Sequence, residues 1–359
     1  MKRVGIITIN DNNNYGNRLQ NYAVQEVLKK KNVRVETIIN QKNCKKIYIK
    51  EHIKLLLPLK KFNRIRNFYR FNKLINFSNV FLVDNNKDGK KINLMYDTFF
   101  VGSDQVWNPN FKRLSDIDFL TFADKEKRNS FSASFGISTL SLYDEERCKK
   151  YLKEFKNVSV REDKGKELVE TLTGRNDIEI LVDPTMLLSK DEWDIIIKKP
   201  KQMKEEKKYI LNYFLGDIPK DRKLEIERIA KEYNCEIINI LDPKDQYYSS
   251  GPSEFIYLEK NAFLVCTDSF HSSVFAFLYN VPFIVFNRED KLASMNSRLE
   301  TLLLKFNLKN RTFNDKNITY DNLNQDYTES YKILEEERKK ADLFLKNALS
   351  INNQSKKGE

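Results

Sequence analysis

Short apolar runs recur along the chain with amphipathic stretches between them. VGIITI (4–9) leads into YGNRLQNYAVQEVLKK (15–30), and VRVETII (33–39) leads into a strongly basic stretch. TFFVGSD (98–104), SFSASFG (130–136), NVSVRE (157–162) and EILVDP (179–184) follow. After the lysine-rich KKPKQMKEEKK (198–208) the pattern starts again with YILNYFLG (209–216), CEIINIL (235–241), AFLVCTD (262–268) and PFIVF (282–286). Strands separated by roughly 10 to 20 helix-compatible residues predict a parallel sheet, and the restart predicts a second one. The first lobe is expected over 1–188, with a basic insert at 44–77, and the second over 189–326. A long charged helix (327–350) is expected to return to the first lobe, ahead of a disordered tail (351–359). No internal repeat interrupts this organisation.

A length of 359 residues fits two cores better than one, and 40% hydrophobic residues with 24 Phe and 17 Tyr can fill them. Four cysteines without CxxC spacing argue against a zinc site or a disulfide framework and fit a reducing compartment. MKRVGIITIN is too short an apolar run for a signal peptide, and no run approaches the roughly 18 residues of a membrane span. A cytoplasmic chain is expected, soluble or peripheral on the inner face of the plasma membrane.

The net charge of +12 points to an anionic partner, and most of it is concentrated. Lys45, Lys46, Lys50, Lys54, Lys60, Lys61, Arg64, Arg66, Arg70 and Lys73 face the single acid Glu51, with apolar residues interleaved at near-helical spacing. Such a segment can lie on anionic lipid, each basic residue adding about 1 kcal/mol. A solvated helical face reads the same way. Nucleic acid is not expected, because the aromatics alternate with aliphatics as on a core-facing stripe and no RNA- or DNA-binding motif is present.

Two Rossmann-like lobes facing a cleft make the GT-B architecture, which names no reaction. No GxGxxG follows the first strand and no Walker motif occurs, so the usual dinucleotide and nucleotide-triphosphate readings are disfavoured. Four strand-end turns carry candidate chemistry. They are NNYGNRLQNY (13–22), with Asn14, Gly16 and Asn17; FVGSDQVWNP (100–109), with Ser103 and Asp104; SVREDKG (159–165), with Arg161; and TDSFHSS (267–273), with Asp268, His271, Ser272 and Ser273. Singly each has a structural reading: caps for Asn13, Asp104 and His271, a surface ion pair for Arg161, a packed aromatic for Trp107. Together they put an acid, a guanidinium, an imidazole and hydroxyls at strand ends, where open α/β sheets bind ligands.

These blocks, with VDPTMLL (182–188), GPSEFIYLEKNAFLVCTDSFHSSVF (251–275), PFIVFNR (282–288) and NSRLETLL (296–303), resemble the polysaccharide pyruvyl transferases over nearly the whole chain. The resemblance implies a GT-B-like α/β fold with the acceptor on the first lobe and the donor on the second. It also implies transfer of the enolpyruvyl unit of phosphoenolpyruvate to two hydroxyls of a sugar, giving a pyruvate ketal and phosphate, with no cofactor and no metal. The acceptor would be a polysaccharide or its precursor, lipid-linked or free. Arg161 would grip the donor's anionic groups. His271 would serve as general acid or phosphate ligand, and Asp104 would take the proton of the attacking hydroxyl. Ser272, Ser273, Asn14, Gly16, Asn17, Ser103 and Asp268 would complete the substrate contacts.

Two positions depart from the pattern. Ser272 stands where many members have glycine, and Ser269 where some have arginine, so a second cation is expected from Arg288 or Arg298. A nucleotide-sugar glycosyltransferase and a non-catalytic protein binding anionic polymer or membrane remain as alternatives.

Overall fold

In the computed structural model, which describes residues 1–11, 13–40, 53, 55, 62–82, 87–205, 207–288, 297–313, 318–324 and 326–351, every strand ladder is parallel. The first half contains β1 (Arg3–Ile7), α1 (Tyr15–Lys29), β2 (Arg34–Ile39), α2 (Asn63–Asn72), β3 (Phe77–Phe81), α3 (Lys87–Met95), β4 (Thr98–Val101), β5 (Arg128–Ser130), α4 (Leu142–Leu152), β6 (Ser159–Val160), α5 (Asp163–Thr173), β7 (Glu179–Ile180) and α6 (Lys190–Asp194). The second contains β8 (Tyr209–Tyr213), α7 (Lys220–Glu232), β9 (Glu236–Asn239), α8 (Pro252–Lys260), β10 (Leu264–Thr267), α9 (Phe270–Leu278), β11 (Phe283–Val285), α10 (Ser297–Lys305), α11 (Tyr320–Leu323) and α12 (Thr328–Ala348).

A five-stranded sheet runs β3-β2-β1-β4-β5, and a four-stranded sheet runs β11-β10-β8-β9. The pair β6-β7 extends the first sheet through single bridges, Ala133 to Val160 and Asn129 to Asn157. The strands are short and apolar because helices cover both faces: β4 and β10 are buried throughout. Two details depart from the hydropathy pattern. Phe77–Phe81 forms an edge strand that its polar centre, Ser78 and Asn79, conceals. Of the serine-rich run 130–136 only Ser130 joins a ladder, as the last residue of β5, since Ala133 beyond it bridges Asp104 and Val160 singly.

The two sheets share a core. Tyr15 of α1 stacks on Phe255 of α8 (centroids 4.5 Å apart) and on Phe68 of α2 (5.2 Å), and Tyr22 packs on Trp193, which meets Phe275. Arg64 crosses the same seam, donating to Tyr15 Oη (2.5 Å), Tyr248 O (3.0 Å) and Asn13 O (3.1 Å). It is buried, so it cannot belong to a lipid-facing stripe as its sequence neighbourhood had suggested. Lys45, Lys46, Lys50, Lys54, Lys60 and Lys61 lie outside the described residues, as does 352–359 of the tail. Helix α12 reaches both layers, through Lys31 to Asp342 on one side and Tyr331 Oη to Phe277 O on the other. Among the described residues no helix is long and apolar enough to cross a membrane.

Candidate active site

The order of the first sheet reverses between β1 and β4, and the candidate residues gather beyond the carboxyl ends of those strands. After β1, Asn14 caps α1 by accepting from Asn17 N at 3.1 Å. After β4 the chain turns at Gly102 (φ 117°), where a Cβ would meet the Phe131 carbonyl, and Asp104 takes a left-handed conformation (φ 69°) that an acid tolerates better than a branched residue. The two turns are tied by Asn17 Nδ2 donating to Asp104 Oδ2.

The ends of β6 and β7 add Arg161 and Asp183. Arg161 donates to Asp183 Oδ2 (2.5 Å) and to Asp104 Oδ1 (3.1 Å), and its guanidinium lies 4.4 Å from the Phe270 ring centroid. Asp183 also accepts from Ser103 Oγ (2.9 Å), Thr185 N (3.0 Å) and Thr185 Oγ1 (2.7 Å). Glu162 beside them accepts from Ser134 Oγ, Phe135 N and Gly136 N, holding the turn after β5.

The second sheet contributes from the opposite side. Ser269, not His271, is the N-cap of α9, which removes the capping explanation for the histidine. His271 is buried with Nε2 3.7 Å from Asp183 Oδ2, an ion pair when the ring is protonated but too long for a hydrogen bond. Its other edge lies against Gly16, where any Cβ would overlap the ring. Arg298 of α10 reaches Asp104 Oδ1 at 3.5 Å.

The electrostatics are those of two guanidinium groups and an imidazole gathered around two acids. Burial pushes Asp183 up, but the facing His271, Arg161 and the Thr185 amide pull it well below the ordinary carboxylate range. Asp104 is likewise pushed up by burial and pulled down by Arg161, His271 and Arg298. Burial and the neighbouring Arg161 bring Arg298 down to about 10, against the pull of Asp104 and Glu162. Arg161 Nε, Arg298 Nε and His271 Nε2 are buried without a hydrogen-bond partner. Unpartnered buried nitrogens are costly unless an acceptor arrives, and an anion with several oxygens supplies one. Among the described residues no group of three His, Cys, Asp or Glu could hold a metal ion.

Of the residues singled out in the sequence, Gly16, Asn17, Ser103, Asp104, Arg161, His271 and Arg298 come together here. Asn14 acts as a cap. Ser272 Oγ is turned away to donate to Glu259 Oε1 (2.6 Å), and Ser273 Oγ donates to Ser269 O (3.0 Å), so neither hydroxyl is offered to an anion. Asp268 and Arg288 pair with each other at 2.9 Å. Asp104 is engaged by Arg161, Asn17, Arg298 and Gln105 N, which suits it to hold cations better than to accept a proton. Sequence reading missed Asp183, the hub of the cluster, although an acid directly after the apolar run EILV carries the same signal as Asp104. Phe270 and Glu162 gave no signal apart from their neighbours.

A family model described as polysaccharide pyruvyl transferase matches residues 14–290. Comparison with curated proteins finds no match. Among solved structures, the chain is similar to UDP-N-acetylglucosamine 2-epimerase from Rickettsia bellii, at 13% identity over 98% of this chain and 96% of that one, with a TM-score of 0.53. It is also similar to UDP-GlcNAc 2-epimerase from Methanocaldococcus jannaschii, at 16% identity over 100% and 94%, with a TM-score of 0.50. At such identities the likeness concerns the fold, which is GT-B.

Proposed function

Because the chain belongs to the polysaccharide pyruvyl transferase family, we propose that it moves the enolpyruvyl unit of phosphoenolpyruvate onto two hydroxyls of one sugar in a cell-surface polysaccharide or its precursor. The observation that carries this reading is that Arg161 Nε, Arg298 Nε and His271 Nε2 are buried without a hydrogen-bond partner on residues that surround Asp104 and Asp183, two acids of depressed pKa. Phosphoenolpyruvate offers a carboxylate and a phosphate, and these donors match both.

In the reaction a sugar hydroxyl oxygen bonds to the central carbon while His271 gives a proton to the vinyl methylene, which becomes the ketal methyl. The first hydroxyl's proton restores His271. The carbon–oxygen bond to phosphate then breaks, its electron pair leaving with the phosphate. The second hydroxyl attacks the oxocarbenium-like carbon and its proton goes to the departing phosphate. Arg161 and Arg298 offset the charge that builds on that phosphate, and Asp104 and Asp183 hold Arg161 in place. No metal or further cofactor enters this scheme. The test is phosphate release from phosphoenolpyruvate in the presence of a panel of methyl glycosides, with the ketal read by mass spectrometry.

The basic residues between Lys45 and Lys73, Arg64 apart, would hold the enzyme at an anionic leaflet where a lipid-linked acceptor is presented. Charge reversal at Lys60, Lys61 and Arg66 should then abolish sedimentation with phosphatidylserine vesicles. Unchanged sedimentation would remove this part of the reading.

A further inference from the structure

In the second sheet β9 lies on one side of β8, and β10 and β11 lie on the other, so its strand order reverses between β8 and β10. That crevice is where an open parallel sheet ordinarily receives an anionic ligand on the amides of the adjoining turns. The matching crevice of the first sheet holds the candidate active site. Here the protein's own groups fill the place. Thr267 Oγ1, at the end of β10, donates to Tyr213 O at the end of β8 (2.6 Å). One residue on, the Asp268 carboxylate accepts from Leu215 N (2.7 Å) and Gly216 N (2.9 Å) in the turn after β8, and from Arg288 Nε beyond β11 (2.9 Å). Asp268 is only 6% exposed.

Two consecutive backbone amides and a guanidinium converging on one carboxylate form the donor set that elsewhere holds a phosphate. We propose that Asp268 is a built-in anion that occupies this cradle and bars phosphate-bearing ligands, nucleotide diphosphates included, from the crevice of the second sheet. The donor's charged groups are thereby directed to the first sheet. Asp268 is in this sense a specificity-determining residue, and the inference does not depend on the donor being phosphoenolpyruvate.

Pyrophosphate is the probe, since it carries the charge of a nucleotide diphosphate without the base. In calorimetric titrations, wild type and Arg288→Gln should bind it with the same stoichiometry, because the cradle is closed in both. Asp268→Ala should bind one further pyrophosphate per chain, and the double variant Asp268→Ala/Arg288→Gln should lose it again. An Asp268→Ala protein with wild-type stoichiometry would overturn the proposal. So would a lower stoichiometry in Arg288→Gln than in wild type, which would show the cradle open to ligands. That second comparison decides the matter even if Asp268→Ala does not fold.

Discussion

The imidazole of His271, carried by α9, packs against Gly16 of α1 so closely that a Cβ there would overlap ring atoms Nδ1, Cε1 and Cγ. Gly16 sits within the helix, so the missing side chain serves the approach of the two lobes. Gly16→Ala should therefore displace the ring and lower kcat/KM on the order of 10²-fold, as small misplacements of reacting groups do. Steady-state phosphate release, measured beside thermal melting to confirm folding, is the check. Wild-type turnover in this variant would mean that the ring's position is not critical.

Arg161→Ala should cost stability as well as donor affinity. Arg161 is buried between Asp104 and Asp183, and removing it leaves two acids without their main partner. Breaking a buried pair in this way costs about 3 to 5 kcal/mol. Urea unfolding should show the midpoint fall accordingly, and an unchanged midpoint would mean that the acids are neutral in the fold.

Stability should respond to pH in two separable ways. Asp104 and Asp183 have folded pKa values below the ordinary 3.8, so their contribution is complete above that pH and is lost as pH falls through the folded values. Glu259 is the reverse case. Burial raises it well above 4.5, with Ser272 pulling it down only partly, so the stability linked to its proton is complete below about 4.5 and is lost as pH rises. Glu259→Gln should melt above wild type at neutral pH, with the gap closing towards pH 4. A gap that did not change with pH would contradict the assignment.

Much of this arrangement was legible in the sequence, for a physical reason: strands buried on both faces read as apolar runs, and a polar group directly after such a run sits at a strand end. That logic found Asp104, Arg161 and His271, which burial and pairing then gather. The same logic covers Asp183, which directly follows the apolar run EILV and sits beyond β7. What sequence alone could not carry is direction. Ser272 follows His271 in the chain, yet the helix turns its hydroxyl towards Glu259. Glu259 is charged by composition and fully buried in the fold, a fact with no periodic signature. Arg64 belongs to the most basic stretch of the chain but is stacked over Tyr15, Phe68 and Tyr248, with its guanidinium carbon 4.6, 5.1 and 5.1 Å from the ring centroids.

His271→Asn should fold, because Ser269 and not His271 caps α9. Turnover should fall on the order of 10²-fold or more if the ring supplies the proton. Thermal melting at the wild-type temperature beside that fall separates loss of a proton donor from loss of packing. Unchanged turnover would leave His271 with a structural role alone.

The proposed donor is phosphoenolpyruvate, held by the nitrogens beside Asp104 and Asp183. Calorimetric titration of wild type and Arg298→Gln with phosphoenolpyruvate, and separately with UDP-N-acetylglucosamine, tests it most directly. Saturable phosphoenolpyruvate binding by the wild type, weakened in Arg298→Gln by about 2 kcal/mol or more, is the predicted result, with no binding of the nucleotide-sugar. Binding of UDP-N-acetylglucosamine without any binding of phosphoenolpyruvate would make the protein a nucleotide-sugar enzyme instead.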